Sequence, residues 1–341
     1  MEAKRVVING VLDVKIISEK LDVSSLKPNQ CLIETEVSLI SPGTELSRVY
    51  GLKVGATYPV YPGYCSVGRI LEVGSNLTHL KPGDRVLFSG SHTSLQIYDY
   101  TKSDGGILYP LADKTDSIAG AFLNMAWIAT NGILPAEVKL GDTVVVLGLG
   151  MLGLIVSLYY QKMGAKVIAL DPITSRTKLA QKMGIKAAYD VKPENQEIEV
   201  SKLLKGQGAD IVIDATGLSA AIETALKMAA PYGQVVLMGS PRSPYQANLT
   251  DSFSLIHMKM LTVIGALNRR YPVQPVVGSR LNVTETMAYL EELIAEKYLD
   301  VDLFISHIIE PTEKELLEAY DGLMNHKDSY HGVIIDWRKA K

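Results

Sequence analysis

The chain has 341 residues, and at roughly 150 residues per domain this length predicts two domains. Lys and Arg total 34 against 37 Asp and Glu, a formal net charge of −3, so the basic surface by which proteins bind nucleic acid is not expected. The two cysteines, Cys31 and Cys65, exclude a disulfide scaffold and a zinc lobe built from four cysteines. They fit a reducing cytoplasm, where we expect the protein to reside.

Two segments bear on membrane targeting. Residues 1–5 carry charge but are not followed by the apolar core and small-residue cleavage site of a secretory signal. Residues 144–160 are apolar over a length that raises the question of a membrane span, but Gly148, Gly150 and Gly153 interrupt them. A buried strand, a tight turn and a buried helix explain this segment better, and no membrane contact is expected.

The N-terminal third of the chain contains short β-like runs separated by Pro-Gly turns. The runs cover 31–37, 66–73 and 85–88, and the turns cover 41–43, 61–63 and 81–84. Short strands with turns at this spacing predict a compact, mostly antiparallel barrel.

Strands and helices alternate in the middle of the chain, after a helix predicted over 117–130. The predicted strands are 143–147, 166–170, 209–213, 234–238 and 261–264, and the predicted helices are 154–163, 174–183 and 219–230. The strands are continuous apolar runs, as a parallel sheet covered by helices on both faces requires. The middle of the chain is therefore predicted to be an α/β domain.

The pattern changes again after Gly265. Amphipathic helices are predicted over 285–296 and 313–324, and a late strand over 332–336. We assign these elements to the first domain, so that residues 1–124 and 269–341 form one domain and residues 125–268 are inserted into it.

A glycine-rich turn gives the strongest local signal. The segment 148–153 (GLGMLG) directly follows the strand 143–147 and opens a helix. Gly148 permits the tight turn, Gly150 lets the backbone approach a pyrophosphate, and Gly153 allows close packing of the helix on the strand. The helix N-terminus offers unpaired N–H groups to the anion. In this context the pattern predicts a dinucleotide site rather than an empty turn.

An acidic residue ends the next predicted strand and bears on the choice of cofactor. Asp171 stands 18 positions beyond Gly153, where a carboxylate accepts hydrogen bonds from the adenosine ribose hydroxyls. A 2′-phosphate would be repelled there, so NAD is favoured over NADP. Arg176 qualifies this preference, because its side chain could fold back toward a phosphate.

Further motifs follow one another along the chain: 61–74 (YPGYCSVGRILEVG), 81–86 (KPGDRV), the GLGMLG loop, 214–217 (DATG) and 231–239 (PYGQVVLMG). In this order they resemble the medium-chain dehydrogenase/reductase superfamily over nearly the whole chain. Segments 41–45 (SPGTE), 62–68 (PGYCSVG) and 123–125 (LNM) are similar to a zinc-free branch that includes bacteriochlorophyllide dehydrogenase-like proteins. The resemblance implies a GroES-like, β-rich barrel domain and an inserted Rossmann domain with a doubly wound parallel sheet.

Zinc-dependent members of this superfamily carry metal ligands at positions that differ here. Pro42 stands at the place of a ligating Cys, Tyr64-Cys65 at the place of a His-Glu pair, and Ala126 at the place of a second Cys. The side chains of Pro and Ala do not ligate a metal, and one thiol is short of a three-ligand site. A site rebuilt from other Cys and His residues has no support from their spacing. The prediction is therefore no zinc and no other metal.

Without a metal, hydrogen-bond donors must move the hydroxyl proton and stabilise an oxyanion. By the resemblance, the candidate catalytic residues are Tyr64 as donor or acid/base, Thr44 as relay hydroxyl, and Glu45 as orienting group or base. The candidate substrate contacts are Ser47, His92 and Asn124. Each has a structural alternative, such as a space-filling ring, a turn-capping hydroxyl, a structural carboxylate or a solvated loop histidine.

The residues expected to bind the cofactor lie in the glycine loop, at strand ends and at the end of the helix 117–130. They are Thr130, Gly148, Gly150, Met151, Leu152, Gly153, Asp171, Arg176, Thr216, Gly217, Gly239 and Ala266.

These features predict a zinc-independent, NAD-dependent oxidoreductase that transfers a hydride between a secondary alcohol and the nicotinamide. The expected small-molecule substrate is a polyol, a sugar, a cyclitol or another ring-bearing alcohol. Two alternatives stay open: a zinc-free quinone or enoyl-type reductase, and a non-catalytic sensor that binds NAD(H). The resemblance also implies a homodimer or homotetramer, for which residues 261–265 are a candidate edge strand.

Overall fold

The computed structural model describes residues 1–52, 55–101, 106–241, 244–268, 271–274, 276–279 and 281–340. Two compact units divide the chain: Met1–Trp127 with Tyr271–Lys341, and Ile128–Arg270. The predicted boundaries, after residues 124 and 268, lie three and two residues before these. Residue 269, where the last predicted segment begins, is outside the described residues.

The strands in chain order are β1 (Glu2–Gly10), β2 (Asp13–Lys20), β3 (Gln30–Leu39), β4 (Ser66–Val73), β5 (Arg85–Phe88), β6 (Leu95–Asp99), β7 (Leu108–Pro110), β8 (Thr143–Leu147), β9 (Lys166–Asp171), β10 (Ala188–Asp190), β11 (Ala209–Asp214), β12 (Ala229–Leu237), β13 (Thr262–Gly265), β14 (His307–Ile309) and β15 (Val333–Asp336). The helices are α1 (Pro42–Val49), α2 (Ser117–Thr130), α3 (Met151–Lys162), α4 (Thr174–Lys182), α5 (Pro193–Leu203), α6 (Ser219–Met228), α7 (Leu249–Lys259), α8 (Val283–Ala295), α9 (Val301–Phe304) and α10 (Glu313–Asn325), and a 3₁₀ turn covers Trp337–Lys339.

Antiparallel pairing dominates the first unit. β1 and β2 form a hairpin, and a second sheet in the described residues runs in the order β14-β15-β3-β4-β5-β7, with β6 also paired to β3. Its pairings are antiparallel except for that of β14 with β15. β15 pairs with the end of β3, Ile334 opposite Leu39. The C-terminal strand thus lies beside the strand that leads into α1, and the predicted mostly antiparallel, β-rich domain is confirmed.

The second unit contains a parallel sheet. Within the described residues its order is β10-β9-β8-β11-β12-β13, and every pairing is parallel. The central strands are buried along almost their whole length, as expected for a parallel sheet whose two faces are both covered. The strand order reverses between β8 and β11, which confirms the predicted doubly wound α/β arrangement and creates a switch point at their carboxyl ends.

Four helices, α1, α5, α7 and α9, are absent from the sequence prediction and correct it. Residues 41–43, predicted as a turn, are the start of α1, in which Pro42 occupies the first helical position. Proline fits there because its missing N–H would be unpaired in any case. The prediction also has no helix at α7, in which no residue is fully buried and Leu255 and Ile256 are half-buried against the core of the second unit. Among the described helices, none combines the length and the apolar character that crossing a bilayer requires.

Candidate functional site

Three hydroxyl groups meet at the amino end of α1. The phenol oxygen of Tyr64 contacts Oγ of Ser41 and lies 3.4 Å from Oγ1 of Thr44. Ser41 is the N-cap residue of α1 and Thr44 lies in its first turn, so the phenol is near the positive end of the helix dipole. Tyr64 is half-buried and Thr44 is exposed, so part of this hydroxyl cluster lies at the surface of the first unit.

The surroundings of Tyr64 keep its phenol neutral. Burial raises its pKa, the neighbouring Cys65 and Glu45 raise it further, and the hydrogen bonds with Ser41 and Thr44 lower it by less. This direction is opposite to the lowered pKa that a role as base requires. Tyr64 is therefore suited to donate a hydrogen bond, or a proton, to a substrate oxygen.

The carboxylate of Glu45 is buried and fully engaged. Oε1 accepts a hydrogen bond from the backbone N–H of Ser41 at 2.7 Å. Oε2 accepts one from the hydroxyl of Tyr320 at 2.8 Å and lies 3.1 Å from Nε2 of His92. The side chain of Glu45 is 2% exposed, so its contacts are with the protein. Its two predicted roles, as an orienting group and as a base, stay predictions.

His92 is fully buried in the same network. Its Nδ1 lies 2.8 Å from Oγ of Ser38, which also accepts a hydrogen bond from Nε1 of Trp337 at 2.9 Å. The ring packs against Gly63, where a Cβ would lie 2.9 Å from the His92 ring. A substrate contact by His92 is not supported by this placement, because both ring nitrogens are occupied and no part of the ring is exposed.

Asn124 and Ser47 also bond within the protein. Nδ2 of Asn124 donates to the carbonyl oxygen of Tyr64 at 2.7 Å and lies 3.4 Å from Sγ of Cys65, so this buried amide holds the backbone that presents the phenol. The hydroxyl of Ser47 donates to the carbonyl oxygen of Thr44 at 2.6 Å. Both residues are buried, and the hydrogen bonds that these side chains donate go to the protein itself.

The donors around Tyr64 do not fit a zinc ion. Cys65 is completely buried, burial raises the pKa of its thiol, and zinc binds the thiolate. His92 has no free ring nitrogen. In the part of the chain that the structure describes, no group of three His, Cys, Asp or Glu side chains is arranged to hold a metal.

In the second unit, the glycine loop joins β8 to α3. Gly148 has φ +90°, a left-handed conformation that other residues rarely adopt. A Cβ on Gly153 would lie 1.8 Å from the carbonyl oxygen of Gly148, so α3 packs on the loop only with glycine there. Gly150 is the N-cap of α3 and a Cβ there would meet nothing within 4 Å. Since Gly150 has no side chain to cap the helix, the first-turn N–H groups are available to a pyrophosphate.

Asp171 ties the end of β9 to this loop. Its Oδ2 accepts a hydrogen bond from the backbone N–H of Leu149 at 2.8 Å and lies 3.4 Å from Nη1 of Arg176. Its Oδ1 accepts from the N–H of Ile173 at 2.9 Å, and the residue is 2% exposed. The guanidinium of Arg176 is thus paired with Asp171, and its Nε is buried with no hydrogen-bond partner in the described part of the chain.

The other predicted cofactor residues of this unit lie at strand ends and helix ends. They are Thr216 and Gly217 after β11, Gly239 after β12, Ala266 after β13, Met151 and Leu152 in the first turn of α3, and Thr130 at the end of α2. Gly239 packs directly on Gly217, since a Cβ on Gly239 would lie 2.1 Å from the backbone nitrogen of Gly217. The glycine loop follows β8 and Thr216 follows β11, so both flank the switch point where doubly wound sheets bind their ligands.

The sequence prediction missed four residues of the network around Tyr64: Ser38, Ser41, Tyr320 and Trp337. Tyr320 lies 275 positions from Glu45, and Trp337 lies 299 positions from Ser38, so no local spacing indicates either contact. Ser41 did carry a signal, because a serine directly before a proline is typical of a helix N-terminus.

Comparison with known proteins adds the family. The family model described as "Alcohol dehydrogenase GroES-like domain" matches residues 27–138, and that described as "Zinc-binding dehydrogenase" matches residues 152–279. A probable D-xylulose reductase A of Arthroderma otae is 30% identical over 265 residues, which are 67% of this chain and 73% of that one. A putative D-xylulose reductase of Agrobacterium fabrum is 27% identical over 293 residues, 72% of this chain and 81% of that one.

The fold agrees with these matches. The crystal structure of galactitol-1-phosphate dehydrogenase from Escherichia coli has a TM-score of 0.81 and 19% sequence identity, and the match covers 98% of this chain and 99% of that one. The glycine loop and Asp171 supply the features that a dinucleotide requires. The chain therefore belongs to the medium-chain dehydrogenase/reductase superfamily, as an alcohol dehydrogenase-like oxidoreductase with a nicotinamide cofactor.

Proposed function

We propose that this protein is a zinc-independent, NAD-dependent dehydrogenase of a secondary alcohol, carried by a small polyol, a sugar, a cyclitol or another ring-bearing molecule. The observation that carries the proposal is the hydroxyl cluster of Tyr64, Ser41 and Thr44 at the amino end of α1. By the family resemblance, Tyr64 stands where zinc-dependent members have a ligating His.

Zinc independence is supported by the donor set. Pro42 and Ala126 have no ligating side chain, and the one thiol, Cys65, is buried with a raised pKa and accepts a contact from Asn124. A catalytic zinc site needs three protein ligands and an open position. The phenol of Tyr64 offers another way to polarise a substrate oxygen, through a hydrogen bond at the positive end of a helix dipole.

The proposed proton path uses atoms of the first unit. A nicotinamide held by the second unit would supply the hydride acceptor, and the residues of the first unit would handle the substrate hydroxyl proton. Tyr64 would take up the substrate hydroxyl proton as it passes its own phenol proton to Oγ1 of Thr44, and the exposed Thr44 hydroxyl would release its proton to solvent. In the reverse direction Tyr64 donates its proton to the carbonyl oxygen and is reprotonated through the same hydroxyl.

NAD is proposed as the cofactor because of the carboxylate at the end of β9. Asp171 is buried beside the glycine loop, where a 2′-phosphate would add a second negative charge at close range. Arg176 is the residue that would favour NADP, but its guanidinium is paired with Asp171. We expect a kcat/KM for NAD at least about tenfold above that for NADP, a difference of about 1.4 kcal/mol.

The test is hydride transfer from a panel of polyols, sugars and cyclitols, followed by NADH absorbance with a metal chelator present throughout. Turnover that survives the chelator is the expected result. Turnover that is abolished by the chelator and restored by zinc contradicts zinc independence. If the panel is silent, quinones and enones with NADPH test the reductase alternative, and cofactor binding without hydride exchange to any carbonyl supports the sensor.

A second copy of this chain is proposed as the partner. β13 is the last strand of the parallel sheet in the described residues, and its outer edge can pair with its own copy across a two-fold axis. Beside it, the exposed side chains of Leu249 and Phe253 of α7 line a groove of about 770 Å³ that Val263 of β13 also lines. Cytoplasmic residence is proposed from the two cysteines, which are free and buried.

A further inference from the structure

A one-directional chain of hydrogen bonds runs through the interior of the first unit. Nε2 of His92 lies 3.1 Å from Oε2 of Glu45, and Nδ1 lies 2.8 Å from Oγ of Ser38. We assign the ring proton to Nε2, which donates to the carboxylate, so Nδ1 accepts from the hydroxyl of Ser38. Oγ of Ser38 in turn accepts from the indole N–H of Trp337. In this assignment, the two ring nitrogens of His92, the hydroxyl of Ser38 and the indole N–H of Trp337 each have a hydrogen-bond partner.

The series of hydrogen bonds ends at the backbone of Ser41, a residue of the hydroxyl cluster. Oε1 of Glu45 receives the backbone N–H of Ser41 at 2.7 Å, and the side chain of Ser41 contacts the phenol of Tyr64. Glu45 therefore sets the position of the N-cap residue, and through it the position of the phenol oxygen. Tyr320 adds a second donor to the other carboxylate oxygen, at 2.8 Å.

The residues joined by these hydrogen bonds are buried. Ser38 and His92 have no exposed area, and Glu45, Tyr320 and Trp337 are 2%, 1% and 3% exposed. Three regions that are distant in sequence supply these residues. They are the end of β3 with α1, the loop before β6, and the C-terminal region with α10 and the 3₁₀ turn. A buried carboxylate needs a full set of donors, so the loss of one distant donor lets the Glu45 side chain, and Ser41 with it, change position.

We propose that Trp337, Ser38, His92, Glu45 and Tyr320 form a positioning network that fixes the phenol oxygen of Tyr64 for proton transfer. The proposal rests on the proposed function, in which Tyr64 donates the proton. In the described part of the chain, Glu45 is the member of this network that is hydrogen-bonded directly to the hydroxyl cluster, through the backbone N–H of Ser41. The other four act through Glu45 and Ser41, so they are positioning residues. The C-terminal residues Tyr320 and Trp337 thus contribute to a reaction whose reacting groups they do not touch.

The test uses Tyr320→Phe and Trp337→Phe in the full-length protein. Each removes one hydrogen-bond donor and keeps an aromatic ring. The matched control is Tyr98→Phe, because Tyr98 is a buried phenol of the same unit that donates to the carbonyl oxygen of Ile107 and packs with Phe88 in another cluster. A misplaced reacting group costs up to about 10²-fold in rate, and we expect kcat to fall about tenfold in both network variants.

Two readouts separate positioning from simple destabilisation. In the network variants, KM for the alcohol should stay within about twofold and the solvent deuterium isotope effect on kcat should rise, because proton transfer becomes slower than the other steps. In Tyr98→Phe both should match the parent protein. Equal losses of kcat in all three variants, in proportion to their melting temperatures and without a change in the isotope effect, would overturn the proposal.

A third readout needs no turnover and distinguishes this proposal from the proposed function. In protein labelled with ¹³C at the tyrosine Cζ, the Tyr64 signal, identified by its loss in Tyr64→Phe, should move in Tyr320→Phe and Trp337→Phe and stay in Tyr98→Phe. A Tyr64 signal that stays in the network variants, or moves in all three, contradicts the positioning network. Absence of hydride transfer in the parent protein contradicts the proposed function alone.

Discussion

The neutral state of the Tyr64 phenol decides what that residue can do. A phenolate would accept a proton and repel a developing alkoxide, whereas a neutral phenol donates a hydrogen bond that strengthens as negative charge forms on the substrate oxygen. Burial raises the pKa of Tyr64, and the buried Glu45 carboxylate acts in the same direction. The positive end of the α1 dipole stabilises negative charge nearby, and with Tyr64 neutral that charge is the one that develops on the substrate oxygen.

Removal of this hydroxyl is the first prediction. Tyr64→Phe should lower kcat by about 10²-fold, the usual cost of losing one oxyanion donor, and leave the NAD dissociation constant within about twofold. Steady-state kinetics and calorimetric NAD binding measure the two effects. The matched control is Tyr61→Phe in the same segment, because Tyr61 is 48% exposed and its ring lies under the Arg5 guanidinium. Similar losses in both variants would mean that the phenol oxygen of Tyr64 plays no special part.

A second prediction concerns acid stability and the C-terminal turn. The Arg338 guanidinium lowers the pKa of Asp336, and Asp336 also caps the turn that carries Trp337. A carboxyl whose folded pKa is below its unfolded pKa of about 3.9 adds stability above that pH, and this contribution is lost as the pH falls through the folded pKa.

Asp336→Asn should therefore lower the free energy of unfolding at pH 7 by about 1 kcal/mol or less, because Arg338 is half exposed and the ion pair is screened. The difference between variant and parent should shrink at pH 3. Urea unfolding at the two pH values measures it. An equal difference at both would show that the lost interaction is not the ionised carboxylate.

Among single residues, the sequence predicts Tyr64 as a site residue but does not predict the residues of the hydrogen-bond network around it. Tyr64 could be predicted because it stands inside a continuous motif, 61–74, that resembles the family. His92 was predicted for the substrate, yet the fold places it against Gly63 and Ser38, because the burial of a loop residue depends on strands far along the chain. Tyr320 and Trp337 had no local signal at all, since their partners are Glu45 and Ser38.

At the scale of elements, the β8–α3–β9 unit gives a paired test of the dinucleotide site. Gly153→Ala places a Cβ 1.8 Å from the carbonyl oxygen of Gly148, and overpacking of this kind lowers the free energy of unfolding by about 1–3 kcal/mol. Gly150→Ala meets no atom within 4 Å and has a φ of −68° that alanine adopts.

Gly150→Ala should therefore keep the parent's stability and weaken NAD binding about tenfold or more, because its methyl group occupies the approach to the pyrophosphate. Gly153→Ala should lose both stability and binding. Thermal unfolding and calorimetric NAD binding are measured on the same samples. Unchanged NAD affinity in Gly150→Ala would place the cofactor elsewhere.

The anchoring of α7 gives the next prediction. This helix has no buried residue, but Nζ of Lys259 donates to the carbonyl oxygens of Lys227 and Ala229 at 2.7 and 2.9 Å. These carbonyls lie at the end of α6, so the ammonium caps that helix. Lys259→Met should lower the free energy of unfolding by about 1–2 kcal/mol, measured by urea unfolding. Lys202→Met removes an exposed lysine of the same unit and should change it by less than about 0.5 kcal/mol.

The helices and strands that could be predicted are those in which the apolar residues of the sequence are also the buried ones. β8 and α2 have the predicted bounds, because each is apolar along its length. α1 was predicted as a turn because Ser-Pro-Gly is common to turns and to helix starts. α7 was not predicted, and its apolar residues are divided: Leu255 and Ile256 pack against the core, whereas Leu249, Phe253 and Met258 are exposed.

At the scale of the whole molecule, those exposed side chains and the free edge of β13 bear on the proposed assembly. Two-fold pairing of β13 with its copy would continue the parallel sheet into a second chain and supply partners for the outer N–H and C=O groups of the edge. The apolar side chains of α7 lie beside that edge, around the groove that Phe253 and Val263 line. A single charge there should be costly, because pairing would bury it without a partner.

Phe253→Asp should therefore convert a dimer of twice 37.2 kDa into a monomer at micromolar concentration, as measured by sedimentation equilibrium. Leu140→Asp is the matched control: Leu140 is 88% exposed in the loop before β8, which two other strands separate from β13 in the described sheet. A parent protein that sediments as a monomer would contradict the assembly, as would a dimer that both variants retain. Dissociation by both would show that the interface does not depend on α7 and β13.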